Sequence, residues 1–167
     1  MKINKIFQKI VNDFVTKIRP SKKESKMQIS DLDEDSEVVG IDQVGITNSG
    51  LGAVILKTTE GKEFPISAFS AETAKIISEF QEGKHIEIPS MYNMIEQICE
   101  ELGLLLVKVR IYDSGNALRA NLYFTGTKEL ILRNYRASDA IALATFYSIP
   151  VLVKKSLLEQ SPQINSK

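Results

Sequence analysis

The chain has 167 residues, with 43% apolar and 25% charged side chains and 21 cations against 21 anions. That length holds one ordinary domain with some tail; the composition excludes wholesale disorder, and the charge balance excludes the global positive field of a histone-like protein. A single cysteine, Cys99, excludes an internal disulfide and a cysteine-based zinc cage, and a single histidine, His85, excludes a two-histidine acid–base pair. No apolar run approaches the roughly 18 residues of a membrane span. The first residues lack the continuous apolar core of a signal peptide, so the expected location is cytoplasmic.

Taken in chain order, Ile3, Ile6, Phe7, Ile10, Val11, Phe14, Val15 and Ile18 recur with a period near 3.6. This predicts an amphipathic helix over residues 1–19, closed by Pro20, whose ring pushes the preceding residue out of the α region. Residues 1–26 carry eight cations against Asp13 and Glu24, whereas residues 31–37 carry Asp31, Asp33, Glu34, Asp35 and Glu37 with no cation. Residues 38–167 are nearly balanced, 13 positive and 14 negative. Residues 20–37 therefore read as a charged linker, 38–160 as a compact domain and 161–167 as a tail.

Within the domain, Val38–Thr47 and Ala53–Thr59 read as strands around Asn48-Ser49-Gly50, and Glu60-Gly61 turns the chain into a strand over Glu63–Ile66. Ser70 is placed to cap a helix carrying Ala74, Ile76, Ile77 and Phe80, with Gly83 as its stop. His85–Ile88 reads as a short extended stretch, with His85 structural or exposed. Ser90 caps the next helix, which places Met94, Ile95, Ile98 and Leu102 inside and ends at Gly103. Cys99 falls near the buried face of that helix, where it acts as a small hydrophobe. Three strands follow as a meander, Leu104–Asp113, Ala117–Thr125 and Lys128–Tyr135. A helix near Ser138–Ser148, a strand Val151–Val153 and a helical turn near Leu157–Gln160 complete an α+β domain with a mixed, largely antiparallel sheet.

Alternation in the meander gives the first candidate surface. With Val107, Val109, Ile111, Leu118, Ala120, Leu122, Phe124, Leu130 and Leu132 inward, the other face collects Lys108, Arg110, Tyr112, Arg119, Asn121, Tyr123, Arg133 and Tyr135. Cations that track phosphates and rings that stack on bases suit single-stranded RNA or DNA, although a solvated sheet face has the same composition. The second candidate is Arg136-Ala137-Ser138-Asp139 at a helix start. Ser138 reads as the cap and Asp139 as a first-turn carboxylate, with Arg136 as ion-pair partner. The same groups suit a phosphodiester: Arg136 as clamp, Asp139 as base or holder of a divalent cation, Ser138 as orienting group.

The run Arg136–Leu143 followed by Ile149-Pro150-Val151-Leu152-Val153 resembles the signature of the bifunctional nuclease domain family, "R-P-S-D-A-I-A-L-A" before "x-P-I-x-V". Val54-Ile55-Leu56-Lys57 with Glu63-Phe64-Pro65-Ile66 resembles its "VVLK…LPI" hairpin. Pro89–Ile95 with Leu102-Gly103 resembles its "PLTHDLL…LG" helix, and Val109–Asp113 its next strand, so the resemblance spans about residues 38–160. It implies hydrolysis of phosphodiester bonds in RNA or DNA, assisted by Mg²⁺ or Mn²⁺ at Asp139 and Asp113. The family's His-Asp pair is Tyr92-Asn93 here, its acidic residue before the final run is Asn134, and that run's proline is Ala137. Tyr92 and Asn93 then become substrate contacts. The alternative is an inactive member that binds nucleic acid or protein and self-associates. The basic, amphipathic residues 1–19 serve docking on the domain or homo-oligomerisation, or less favourably a membrane surface, since the acids of the linker are repelled by anionic lipid.

Overall fold

The computed structural model describes residues 34–84 and 89–160. The helix expected over residues 1–19, the extended stretch holding His85 and the tail 161–167 lie outside them.

Seven strands and four helices make up the described residues: β1 (Ser36–Ile46), β2 (Gly52–Thr58), β3 (Glu63–Phe69), α1 (Ala71–Gln81), α2 (Met91–Leu102), β4 (Leu104–Ser114), β5 (Ala117–Gly126), β6 (Leu130–Arg136), α3 (Ala137–Tyr147), β7 (Val151–Lys154) and α4 (Lys155–Gln160). The sheet order is β3-β2-β1-β7-β4-β5-β6, curled into a half-barrel, and the fold is α+β as the sequence indicates. Two antiparallel three-stranded meanders flank β7, which pairs antiparallel with β1 and parallel with β4. Such a central strand has both edges paired, and Val151, Leu152 and Val153 are all buried, which suits an apolar run with no polar face.

The helices α1, α2 and α3 pack on the sheet, with α1 and α3 against each other. Val54, Leu56, Ile66, Leu106, Val109, Ile111, Ala120 and Leu122 meet Ala74, Ile77, Ala140, Ile141 and Ala144 in one core. The small residues of α3 let it lie close to β4, β5 and β6 at once, and it is buried along most of its length.

Two irregularities redirect side chains. In β4 the register against β5 shifts between Leu106 and Lys108, so Leu106 and Val109 both face the core and Val107, expected inward, is the extra residue. In β6 a shift opposite Ala120–Leu122 coincides with Asn134 in the left-handed region (φ 67°). Tyr135 is thereby set opposite Ala120, on the helix-bearing face. The expected alignment of Tyr135 with Arg133 on the other face is corrected by this bulge.

Other boundaries move as well. β1 starts at Ser36, inside the expected linker, because Ser36 and Glu37 pair with Lys154 and Val153 of β7. β3 runs on to Phe69 and β6 begins at Leu130. Gly103 ends α2 in the left-handed conformation (φ 62°), and Gly126 lies so close that a Cβ there would sit 2.0 Å from the Gly103 carbonyl oxygen. The helix-to-strand corner is therefore closed backbone against backbone. On α2, Met94 and Ile98 are 53% and 37% exposed instead of inside. The helix rests on the domain through Tyr92, Ile95, Cys99 and Leu102, which lie farther round its circumference.

Candidate phosphodiester site

The residues expected on the second sheet face divide into two groups. On β4 and β5, Lys108, Arg110, Asn121 and Tyr123 are buried, which corrects the expectation of an open basic stripe. Each is used within the fold. The Arg110 Nε donates to Ser36 Oγ at 2.8 Å, and its Nη2 lies 2.8 Å from both carboxylate oxygens of Asp35. Partial burial pushes the Asp35 carboxyl up, but the hydrogen bond and charge of Arg110, with help from Ser36 and Lys154, outweigh it and hold Asp35 below its usual range. Lys108 Nζ stands 5.3 Å from the centre of the Tyr123 ring, a cation–π distance. The Tyr123 hydroxyl is buried with no hydrogen-bond partner among the described residues, and Asn121 Oδ1 accepts the Asn134 N–H at 3.4 Å.

Toward the β5–β6 edge the picture changes. Register sets Tyr112 opposite Arg119 and Arg119 opposite Arg136, a row across β4, β5 and β6. The Tyr112 hydroxyl donates to Asn134 Oδ1 at 2.6 Å, which fixes the ring beside the row. Arg119 and Tyr112 are half-buried, while Arg133 and Arg136 are exposed. Two arginines directly opposite each other on neighbouring strands repel, and this costs stability unless an anion sits between them. Among the described residues Arg136 pairs with Asp139, at a loose 3.8 Å, with both side chains at least half exposed.

Arg136 is itself the N-cap position of α3 in extended conformation (φ −65°, ψ 135°), and no side chain caps the helix. Ser138, expected as the cap, is instead inside the first turn and buried, with its hydroxyl 3.5 Å from Asp139 Oδ1. The strand runs directly into the helix without the extra residue that would have put Ser138 at the cap. Asp139 is a first-turn carboxylate as expected, favourably placed by the helix dipole.

The start of α2 lies close by. Tyr92 packs on Phe80 and Phe146, with ring centres 5.1 and 5.9 Å away. Burial pushes its phenol up, and the carboxylates of Asp139 and Glu72 push it further. Tyr92, Asp139 and Glu72 therefore share one electrostatic neighbourhood at the starts of α2, α3 and α1. Glu72 was not singled out from the sequence, where nothing but its place in a first turn marks it. Asn93 is engaged locally: its Oδ1 accepts the Ser90 N–H and hydroxyl, both at 2.9 Å, closing the first turn of α2. It also lines a cleft of about 320 Å³ with Phe80, Lys84, Glu96, Thr145 and Phe146, which holds none of Arg136, Ser138 and Asp139.

Each carboxylate expected to hold a divalent cation has a cationic side chain beside it. Asp113 meets Lys154 at 3.1 Å, whose hydrogen bond and charge hold its carboxyl below the usual range, and Asp139 meets Arg136 at 3.8 Å. Among the described residues no three His, Cys, Asp or Glu side chains converge on one point. The described side chains do not fit a site needing several carboxylates.

No curated protein matches the chain significantly. The family model of the bifunctional nuclease domain matches residues 54–166, from β2 through the last helix, so the chain belongs to the bifunctional nuclease domain family.

Proposed function

We propose that the domain binds the sugar–phosphate backbone of single-stranded RNA or DNA at the β5–β6 edge, with Arg119 and Arg136 as the phosphate contacts and Tyr112 as the flanking ring. The single observation that supports this reading most is the Arg119–Arg136 juxtaposition: the strand register sets the two arginines opposite each other, and Arg136 meets the Asp139 carboxylate at a loose 3.8 Å. Family membership supports the substrate class. Binding of short labelled single-stranded RNA and DNA, measured by fluorescence anisotropy across a salt series, tests it. Arg119→Gln and Arg136→Gln each weaken binding and flatten the salt dependence, whereas unchanged affinity in both refutes the reading.

A second reading, hydrolysis, is favoured by the Asp139 carboxylate lying 3.8 Å from Arg136, a base beside a phosphate clamp. In it Asp139 acts as base, Ser138 orients that carboxylate and Arg136 clamps the phosphate. A cleavage time course on end-labelled strands with Mg²⁺, with Mn²⁺ and with chelator, alongside Asp139→Asn, separates the two. Turnover lost in the variant supports hydrolysis; binding without turnover in every arm supports a binding module.

A further inference from the structure

Helix α2 carries an apolar stripe that the fold leaves uncovered. Met91 is 64% exposed, Met94 53% and Ile98 37%, at spacings of three and four along one side of the helix. Helix α2 carries Glu96, Glu100 and Glu101 and no cation; Glu101 borders the stripe, three residues on from Ile98, whereas Glu96 and Glu100 lie round the far side of the helix. Scattered single apolar residues on a surface need no explanation, but a helical row of them on an acidic helix is the form of a helix-docking face.

The sequence offers an occupant that matches on both counts. The stripe of Ile3, Ile6, Phe7, Ile10, Phe14 and Ile18 predicts a helix whose apolar side needs cover, and Lys2, Lys5, Lys9, Lys17 and Arg19 outnumber its one acid, Asp13. Residues 20–33 connect it to the domain and reach about 45–50 Å when extended, against roughly 35 Å for the diameter of a domain this size. The tether can therefore bring the segment to α2, and a short tether makes docking within one chain win over docking between chains by raising the effective concentration.

We infer that residues 3–18 dock as a helix on the Met91–Met94–Ile98 face of α2 in the same chain, apolar side to apolar side, with a lysine reaching Glu101 at the border of that face. The docked helix covers the outer side of α2 and leaves the Arg119–Arg136 edge, two strands away from β4, uninvolved.

Zero-length carbodiimide cross-linking of the full chain, read by mass spectrometry on an equal mixture of ¹⁴N- and ¹⁵N-labelled protein, tests this directly. The expected result is Lys5, Lys9 or Lys17 joined to Glu101 within single-isotope species. Ile6→Asn with Ile10→Asn, which keeps every lysine and lies outside the domain, lowers that yield by about tenfold or more. Mixed-isotope cross-links overturn the inference in favour of a second copy. Links from the same lysines to Asp31–Glu37 overturn it in favour of the linker acids as occupant. Links at α2 that appear unchanged in the double variant also overturn it, since charge without apolar packing then explains them. If protection of residues 3–18 from hydrogen exchange arises only with anionic vesicles, a membrane surface is the occupant and the inference fails.

Discussion

The two halves of the second sheet face, the β4–β5 centre and the β5–β6 edge, have the same composition and opposite fates. At the centre, Arg110 and Lys108 alternate with tyrosine and asparagine, and every one of those cations is engaged: Arg110 by Asp35 and Ser36, Lys108 by the Tyr123 ring. At the edge, Arg119 and Arg136 are set opposite each other, with Asp139 3.8 Å from Arg136. The difference comes from the order of the strands. Between β4 and β1 lies β7, which delivers Asp35 and Ser36 to Arg110 through the β1–β7 pairing, whereas β6 is the last strand and pairs on one side only. A basic residue in the middle of a sheet is thus recruited to hold the sheet together, whereas Arg136 at the rim keeps more than half of its side chain in water.

The largest expected effect breaks the centre. Arg110→Met leaves Asp35 and Ser36 without their shared partner and lowers stability by about 1–3 kcal/mol in urea unfolding, the upper end being reduced because Asp35 is more than half exposed. Arg136→Gln, by contrast, changes stability by less than about 0.5 kcal/mol, as expected for an exposed pair.

Next in size is binding at the edge. Each of Arg119→Gln and Arg136→Gln weakens single-strand affinity by roughly five- to tenfold at low salt, and Arg110→Met, measured under conditions where it is folded, leaves it within about twofold. Equal losses from all three substitutions erase the distinction between the two regions.

A smaller effect sharpens the centre through pH. The Asp35 carboxyl is held below its usual range in the folded chain, so its contribution is fully present above the ordinary aspartate value and is lost as pH falls through the lowered one. The gap in stability between wild type and Arg110→Met therefore stays constant from neutral pH down to about 4.5 and narrows below about 4. Unfolding curves at a series of pH values check this.

The smallest expected effect is that of Asp139→Asn on stability, within about 0.5 kcal/mol. Its consequences lie elsewhere: removing the carboxylate lets the Tyr92 phenol titrate at lower pH, visible by ultraviolet absorbance, and frees Arg136 for anions.

Much of this was legible in the sequence, but unevenly. Turn chemistry placed the strands and helices, because Gly103, Ser90 and Asn48-Ser49-Gly50 act locally. The bulges at Val107 and Asn134 were not legible, since neither residue type demands one, and each reverses which side chains share a face. Tyr135 therefore faces the helices where alternation predicts the other face, and Arg136, not Ser138, holds the cap position of α3. Asp35 illustrates a second limit. Within an acidic run it reads as solvated linker, and only the pairing of β1 with β7 shows that one of those acids belongs to Arg110. The Arg136–Asp139 pair, three residues apart, needed no long-range knowledge and was found as expected.

The most direct test is the salt dependence of single-stranded RNA binding for the wild type and the Arg119→Gln/Arg136→Gln double variant. Loss of two phosphate contacts reduces the slope of log affinity against log salt by about 1.4. A slope that is the same in both proteins contradicts the assignment of the β5–β6 edge as the phosphodiester site.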